Sequence, residues 1–141
     1  MKYIVTFCFL AFAITSKAQQ KPVYPESLLI TPEKSNFEKT SSYTDVMQFL
    51  NTIQPMSPNM FLGFIGKSTL GKDIPMVVLA NPKISSPEEA KASGKPVVYI
   101  QANIHAGEIE GKEVTMMLMR DILLGNKKDL LNNQIIILCC C

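Results

Sequence analysis

His105 and Glu108 are the two residues of this sequence best suited to hold a metal ion. They are three positions apart with Gly107 between them, a spacing that lets an imidazole nitrogen and a carboxylate oxygen reach one cation at about 2.0–2.2 Å each. A catalytic zinc takes three protein ligands and leaves a fourth position open. Because His105 is the only histidine in the chain, the pair predicts part of a metal site, and a third ligand has to come from elsewhere.

The same region also allows a structural interpretation. A lone histidine in a strand-to-helix turn often caps or hydrogen-bonds the backbone, and the helix dipole alone favours a glutamate at a helix N-terminus. We interpret Glu110 and Glu113 as first-turn acids of this kind. The methionines at positions 116, 117 and 119 are interpreted as core filling rather than as soft metal ligands.

The segments around the pair predict an open α/β sheet. Val97–Ala102 is a near-continuous apolar run, typical of a strand covered on both faces. Glu110–Leu124 has helical periodicity and is followed by Gly125, a common helix stop. The predicted apolar face of this helix comprises Val114, Met117, Leu118 and Ile122, widened by Met116, Met119 and Leu123. With Gln134–Leu138 as the next strand, the order is a βαβ unit, and the histidine follows the carboxyl end of its first strand, where ligands bind.

An amphipathic helix is predicted further upstream, from Thr44 to the break at Pro55. Its apolar positions are Val46, Phe49, Leu50 and Ile53. The segment 19–43 before it is polar and interrupted by prolines, which predicts an extended lead-in.

A β-hairpin is predicted between these regions. Met60–Gly66 and Ile74–Ala80 are β-prone runs joined by a Gly- and Asp-containing turn. The following segment, Pro82–Lys95, is predicted as a loop with one helical turn that starts at Pro87 and is closed by Gly94.

The N-terminus is typical of a secretory signal peptide. An apolar run of 11 residues, Ile4–Ile14, is too short for a membrane span, which needs about 17–25, and Ser16-Lys17-Ala18 provides small residues for cleavage. We therefore expect residues 1–18 to be removed and the protein to be secreted or periplasmic, with no stable membrane anchor. Cleavage removes two of the 14 basic residues and leaves 12 to balance 12 acidic residues, so no charge pattern favours a nucleic-acid partner.

Three adjacent cysteines, Cys139–Cys141, end the sequence after an apolar run. They lack the paired spacing of a structural zinc site, and an odd trio at the terminus is a poor disulfide framework. Because nothing polar follows this strand-like run, we expect that the sequence is truncated here.

Residues 101–113 (Gln-Ala-Asn-Ile-His-Ala-Gly-Glu-Ile-Glu-Gly-Lys-Glu) resemble the first zinc-binding motif of the M14 zinc carboxypeptidases. The hairpin segment 66–75 and the loop 87–96 resemble the corresponding run-up in exported bacterial members. The resemblance covers roughly residues 40–138, and a motif in its expected strand-turn-helix context is far more specific than a His-x-x-Glu pair.

The resemblance implies a zinc ion held by two histidines and one glutamate, a peptide substrate, and a separate glutamate as general base. Only His105 and Glu108 match this set. The second zinc histidine, the catalytic glutamate, the substrate-binding arginines and a tyrosine would lie beyond residue 141, so no catalytic residue is assigned in this chain. Some members have an arginine at the position of Gly107, which puts any specificity that depends on it in doubt.

The expected fold is therefore α/β, a truncated mixed sheet flanked by helices that corresponds to the first part of the zinc carboxypeptidase fold. The expected function is a zinc-dependent metallocarboxypeptidase. A desuccinylase- or aspartoacylase-like zinc amidohydrolase and a non-catalytic exported α/β module are the alternatives. Because a truncated sheet exposes an unpaired edge, we also expect the chain alone to be aggregation-prone and inactive.

Overall fold

A computed structural model describes residues 22–105 and 107–140 of the chain. The predicted signal peptide and the last cysteine lie outside these residues. The helices and strands are α1 (Thr31–Lys34), α2 (Tyr43–Ile53), β1 (Met60–Lys67), β2 (Asp73–Leu79), α3 (Pro87–Ser93), β3 (Val97–Ala102), α4 (Ile109–Leu123) and β4 (Ile135–Cys140). Short 3-10 turns span Glu26–Leu28, Gln54–Met56 and Lys128–Leu131.

The four strands form one mixed sheet in the order β1-β2-β4-β3. β2 is antiparallel to both of its neighbours, whereas β3 and β4 run parallel and are connected through α4. This connection confirms the predicted βαβ unit, and the mixed sheet flanked by helices confirms the predicted fold class.

The β1–β2 hairpin is as the sequence predicts. Met60 pairs with Leu79 at its open end, and Lys67 pairs with Asp73 next to the turn. Gly71 has a φ of +75°, a conformation that residues with a Cβ rarely adopt, and this explains a glycine in the turn.

α2 and α4 cover one face of the sheet and form the main hydrophobic core with it. Ser42 caps α2 by accepting a hydrogen bond from the Asp45 N–H, while Asp45 accepts one from the Ser42 N–H in return. The four predicted apolar positions of α2 are all buried, namely Val46, Phe49, Leu50 and Ile53. Two of the three core methionines predicted on α4, Met116 and Met119, are fully buried as well.

The other face of the sheet carries α3 and a smaller cluster built around Val78, Ile84 and Ile135. α3 begins after Ser86, whose hydroxyl accepts from the Glu89 N–H, and ends at Gly94 with a φ of +65°. The predicted helical turn within this loop is therefore a seven-residue helix with the predicted ends.

The prediction that β3 is covered on both faces is wrong. β3 is an edge strand among the described residues, and Val97, Val98 and Tyr99 are 49%, 38% and 54% exposed. The apolar residues of a strand indicate that the strand can be buried. Whether it is buried depends on the elements that pack against it.

The predicted apolar face of α4 is also wrong at one end. Val114 is 60% exposed, whereas Lys112, Glu113, Thr115 and Arg120 are buried. The helix is apolar on several sides, so its orientation is set by the hydrogen bonds of its buried polar residues, which apolar periodicity does not reveal.

The segment 19–43 is not an extended lead-in over its described part. It contains a 3-10 turn and α1, and Leu28 and Ile30 are buried in the main core. Pro32 lies in the first turn of α1, where a proline is compatible with the start of a helix. No helix among the described residues is long and apolar enough to span a membrane.

Candidate metal centre

The loop between β3 and α4 brings His105 and Glu108 together at the carboxyl end of β3. The distance between His105 Nδ1 and Glu108 Oε1 is 2.9 Å, and the Glu108 N–H donates to the His105 carbonyl over 2.9 Å. Asn103, at the start of the loop, has a φ of +61°, which turns the chain sharply out of the strand. The tight loop therefore directs both side chains to one place.

This pair fits two positions of a zinc site. Two ligands at about 2.0–2.2 Å from a tetrahedral zinc are about 3.3–3.5 Å apart, which is wider than the 2.9 Å between His105 Nδ1 and Glu108 Oε1. Neutral imidazole with carboxylate is a donor set that zinc accepts. Both side chains are accessible, with 79% of His105 and 60% of Glu108 exposed. The described residues contain no group of three His, Cys, Asp or Glu side chains placed to hold a metal, so the third ligand is not among them.

Glu113 anchors the helix that follows this loop. Its carboxylate accepts hydrogen bonds from the Thr40 hydroxyl, the Ser41 N–H and the Ser41 hydroxyl at 2.6–2.7 Å. Lys112 Nζ lies 3.7 Å from the same carboxylate and donates to Thr40. The interpretation of Glu113 as a first-turn acid is therefore wrong, because tertiary hydrogen bonds and not the helix dipole explain a glutamate at this position. Glu110 does lie in the first turn of α4, and its side chain is exposed.

Gly111 allows the N-terminal half of α4 to lie directly on β3. A Cβ at this position would be 3.0 Å from the Cβ of Ala102, the last residue of the strand. Such close approach fixes the helix relative to the loop that carries His105 and Glu108. Sequence reasoning does not identify this function of Gly111, because a glycine inside a helix only lowers helix propensity and does not show which element it contacts.

A second anchor fixes the last turn of α4 to the N-terminal segment. Arg120 donates to both carboxylate oxygens of Glu33 at 2.8 Å and to the Leu28 carbonyl at 2.7 Å, and its guanidinium lies 4.2 Å from the centre of the Tyr24 ring. Hydrogen bonds from Arg120 hold the pKa of Glu33 below its usual value although burial opposes this. Burial and a hydrogen bond to Asp121 raise the pKa of Tyr24 to about 12.

The family model of the zinc carboxypeptidases, peptidase M14, matches residues 46–140. This range includes the hairpin, α4 and the loop between β3 and α4 that carries His105 and Glu108, which we call the metal loop because it is the candidate metal centre. The chain belongs to the zinc carboxypeptidase family. Members of this family are zinc enzymes, in agreement with the character of the His105–Glu108 pair. No curated protein matches the chain.

The fold is similar to that of a solved structure, carboxypeptidase A from Helicoverpa armigera. The similarity has a TM-score of 0.61 at 24% sequence identity and covers 72% of this chain. It covers 24% of the carboxypeptidase A chain, so the present sequence spans about a quarter of that protein. At this identity the similarity establishes the fold alone.

Proposed function

We propose that the chain provides two zinc ligands, His105 and Glu108, of an exported metallocarboxypeptidase that hydrolyses peptide bonds. The observation that carries this proposal is the 2.9 Å contact between the two side chains at the carboxyl end of β3, inside the region that matches the family. Zinc, when bound, supplies Lewis acidity toward a water molecule and the peptide carbonyl.

The two residues have complementary tasks in this proposal. His105 must bind as neutral imidazole, and Glu108 brings one negative charge that offsets part of the charge of the cation. Their exposure leaves room for a third ligand and for a peptide. Because the described residues bring no third ligand to the pair, we expect the chain by itself to bind zinc weakly and to lack peptidase activity.

Nuclear magnetic resonance of the imidazole nitrogens tests the metal site directly. His105 is the only histidine in the sequence, so in a ¹⁵N-labelled chain without a histidine tag every imidazole signal belongs to it. Adding zinc chloride should shift the signal of the nitrogen that faces Glu108, and removing the zinc with a chelator should reverse the shift.

Two substitutions make this test specific. Glu108→Gln should weaken the apparent zinc affinity by at least about tenfold, since even the loss of an outer-shell partner has an effect of that size. Glu110→Gln is the matched control because Glu110 is also exposed in the first turn of α4, and it should leave the titration unchanged. Imidazole signals that do not respond to zinc, or that respond equally in all three proteins, would refute the proposed site.

A further inference from the structure

A cavity of about 530 Å³ lies beside the metal loop. It is enclosed by the turn of the β1–β2 hairpin, the start of α2 and the segment after β3. Asn103, two residues before His105, forms part of its wall, and so does Lys112 of α4. The cavity therefore adjoins the loop that carries the candidate metal ligands.

The register of the sheet explains why the hairpin turn reaches this place. Ala102 pairs with Cys140 at the carboxyl ends of the two parallel strands. Cys139 pairs with Met76 near the start of β2, so the turn that precedes β2 extends beyond the same end of the sheet. The hairpin turn and the candidate metal centre therefore lie at the same end of the sheet.

The charges of this cavity do not cancel. Asp73 forms an ion pair with Lys67 at 2.5 Å, and Lys112 is paired with Glu113 at 3.7 Å. Lys72 forms no ion pair with any residue between 22 and 140 that the structure describes; its Nζ lies 5.0 Å from the centre of the Tyr43 ring. One positive charge thus remains at the mouth of the cavity.

The walls around this charge are mainly apolar. Val46, Ile74 and Pro75 contribute, and Leu70 at the tip of the hairpin is 82% exposed. Tyr43 is held in place by a hydrogen bond from its hydroxyl to the Asp73 carbonyl at 3.0 Å. A side chain that combines an aliphatic stem with a terminal carboxylate matches both the walls and the lysine.

We propose that this cavity is an accessory subsite that binds an acidic side chain of the peptide substrate, with Lys72 as its charge partner. The inference rests on the proposed function because it takes the ligand to be a peptide. It assigns to the β1–β2 hairpin a role in selecting substrates, in addition to its role in the sheet.

Paired peptides test the subsite in the full chain. The probes are acetyl-Ala-Glu-Phe-amide, whose only carboxylate is the glutamate side chain, and its neutral twin acetyl-Ala-Gln-Phe-amide. We expect the acidic peptide to bind about three- to fivefold more tightly at low salt, as one partly exposed ion pair provides, measured by calorimetry or by amide shift changes around Lys72. The preference should decline at about 0.5 M salt because screening shortens the range of the interaction.

Variants at the hairpin identify the charge responsible. Lys72→Met should abolish the preference, while Lys72→Arg should retain it because the charge remains. Lys91→Met is the matched control, since Lys91 is an exposed lysine on α3 at the other face of the sheet. Equal binding of the two peptides, or an unchanged preference in Lys72→Met, would overturn the inference.

The zinc titration of His105 separates this inference from the proposed function. Normal zinc binding without a peptide preference would refute the subsite alone. A peptide preference that depends on Lys72 in a chain whose His105 ignores zinc would refute the metal site alone.

Discussion

The carboxylate of Glu113 makes three short hydrogen bonds to a segment more than seventy residues away in sequence. These bonds satisfy donors of Thr40 and Ser41. The carboxylate also compensates the charge of the nearby Lys112. Because the group is buried, removing it would leave both the donors and the ammonium without their partner. The residue therefore holds the start of α4, and with it the metal loop, in place.

Replacing this carboxylate should destabilise the protein substantially. We expect Glu113→Ala to lower the free energy of unfolding by about 3 kcal/mol, the typical cost of breaking a buried ion pair from one side. Glu110→Ala, an exposed acid on the same helix, should change it by less than about 0.5 kcal/mol. Urea unfolding followed by circular dichroism measures both, and equal stabilities of the two variants would contradict the anchoring role.

The sequence places His105 and Glu108 together in a loop after a strand, but it does not predict the anchor formed by Glu113. The spacing of His105 and Glu108 is local, and a loop after a strand is enough to bring them together. Glu113 acquires its function only through Thr40 and Ser41, and nothing in one sequence indicates which distant hydroxyl groups will meet a given glutamate.

At the level of elements, several predictions that rest on local patterns hold, whereas the prediction of an extended segment 19–43 from its prolines does not. The hairpin and α2 agree with the structure because turn residues, capping residues and apolar periodicity act within a few positions. The burial of β3 and the orientation of α4 were predicted wrongly because they depend on contacts between elements. The clamp formed by Arg120, Glu33 and Tyr24 also depends on contacts between elements, since it joins α1 and the segment before it to the last turn of α4.

This clamp should make the attachment of the N-terminal segment sensitive to acid. Folding lowers the pKa of Glu33 below 4.5, so its stabilising contribution is complete above pH 4.5 and is lost as the pH falls through the lower, folded value. The Asp121 carboxylate acts in the same direction: burial would raise its pKa, but hydrogen bonds from Lys127 and Tyr24 outweigh this and hold it below 3.8. Tyr24 makes stability depend on alkaline pH. Because folding raises the pKa of its hydroxyl to about 12, the stability that it contributes is lost as the pH rises from 10 toward about 12.

A substitution of Glu33 tests the predicted loss of stability at acidic pH. In Glu33→Gln the urea midpoint should be lower at pH 7, and the decrease between pH 5 and pH 3 should be shallower than in the parent protein. Glu26→Gln is the control, because Glu26 is an exposed acid in the same segment and has no ion pair among the described residues. Parallel pH profiles of the parent and Glu33→Gln would contradict the assignment.

At the scale of the whole molecule, the sheet is covered unequally. α2 and α4 bury one face, whereas β3 leaves apolar side chains exposed along an edge. An exposed apolar edge strand offers backbone donors and acceptors to any similar strand, so we expect β3 to promote self-association. The chain spans about a quarter of the length of the carboxypeptidase A structure to which its fold is similar.

A lysine on β3 should therefore suppress association of the chain without changing its fold. We expect the parent protein to form oligomers or aggregates at concentrations at which Val97→Lys stays monomeric, because a charge on an edge strand opposes strand pairing. Val114→Lys is the matched control: Val114 is 60% exposed but lies on α4, away from the sheet edge, so this change should not affect association. Sedimentation velocity across a concentration series measures the difference, and circular dichroism verifies the fold. A parent protein that remains monomeric throughout, or equal improvement by both lysines, would show that the β3 edge does not drive association.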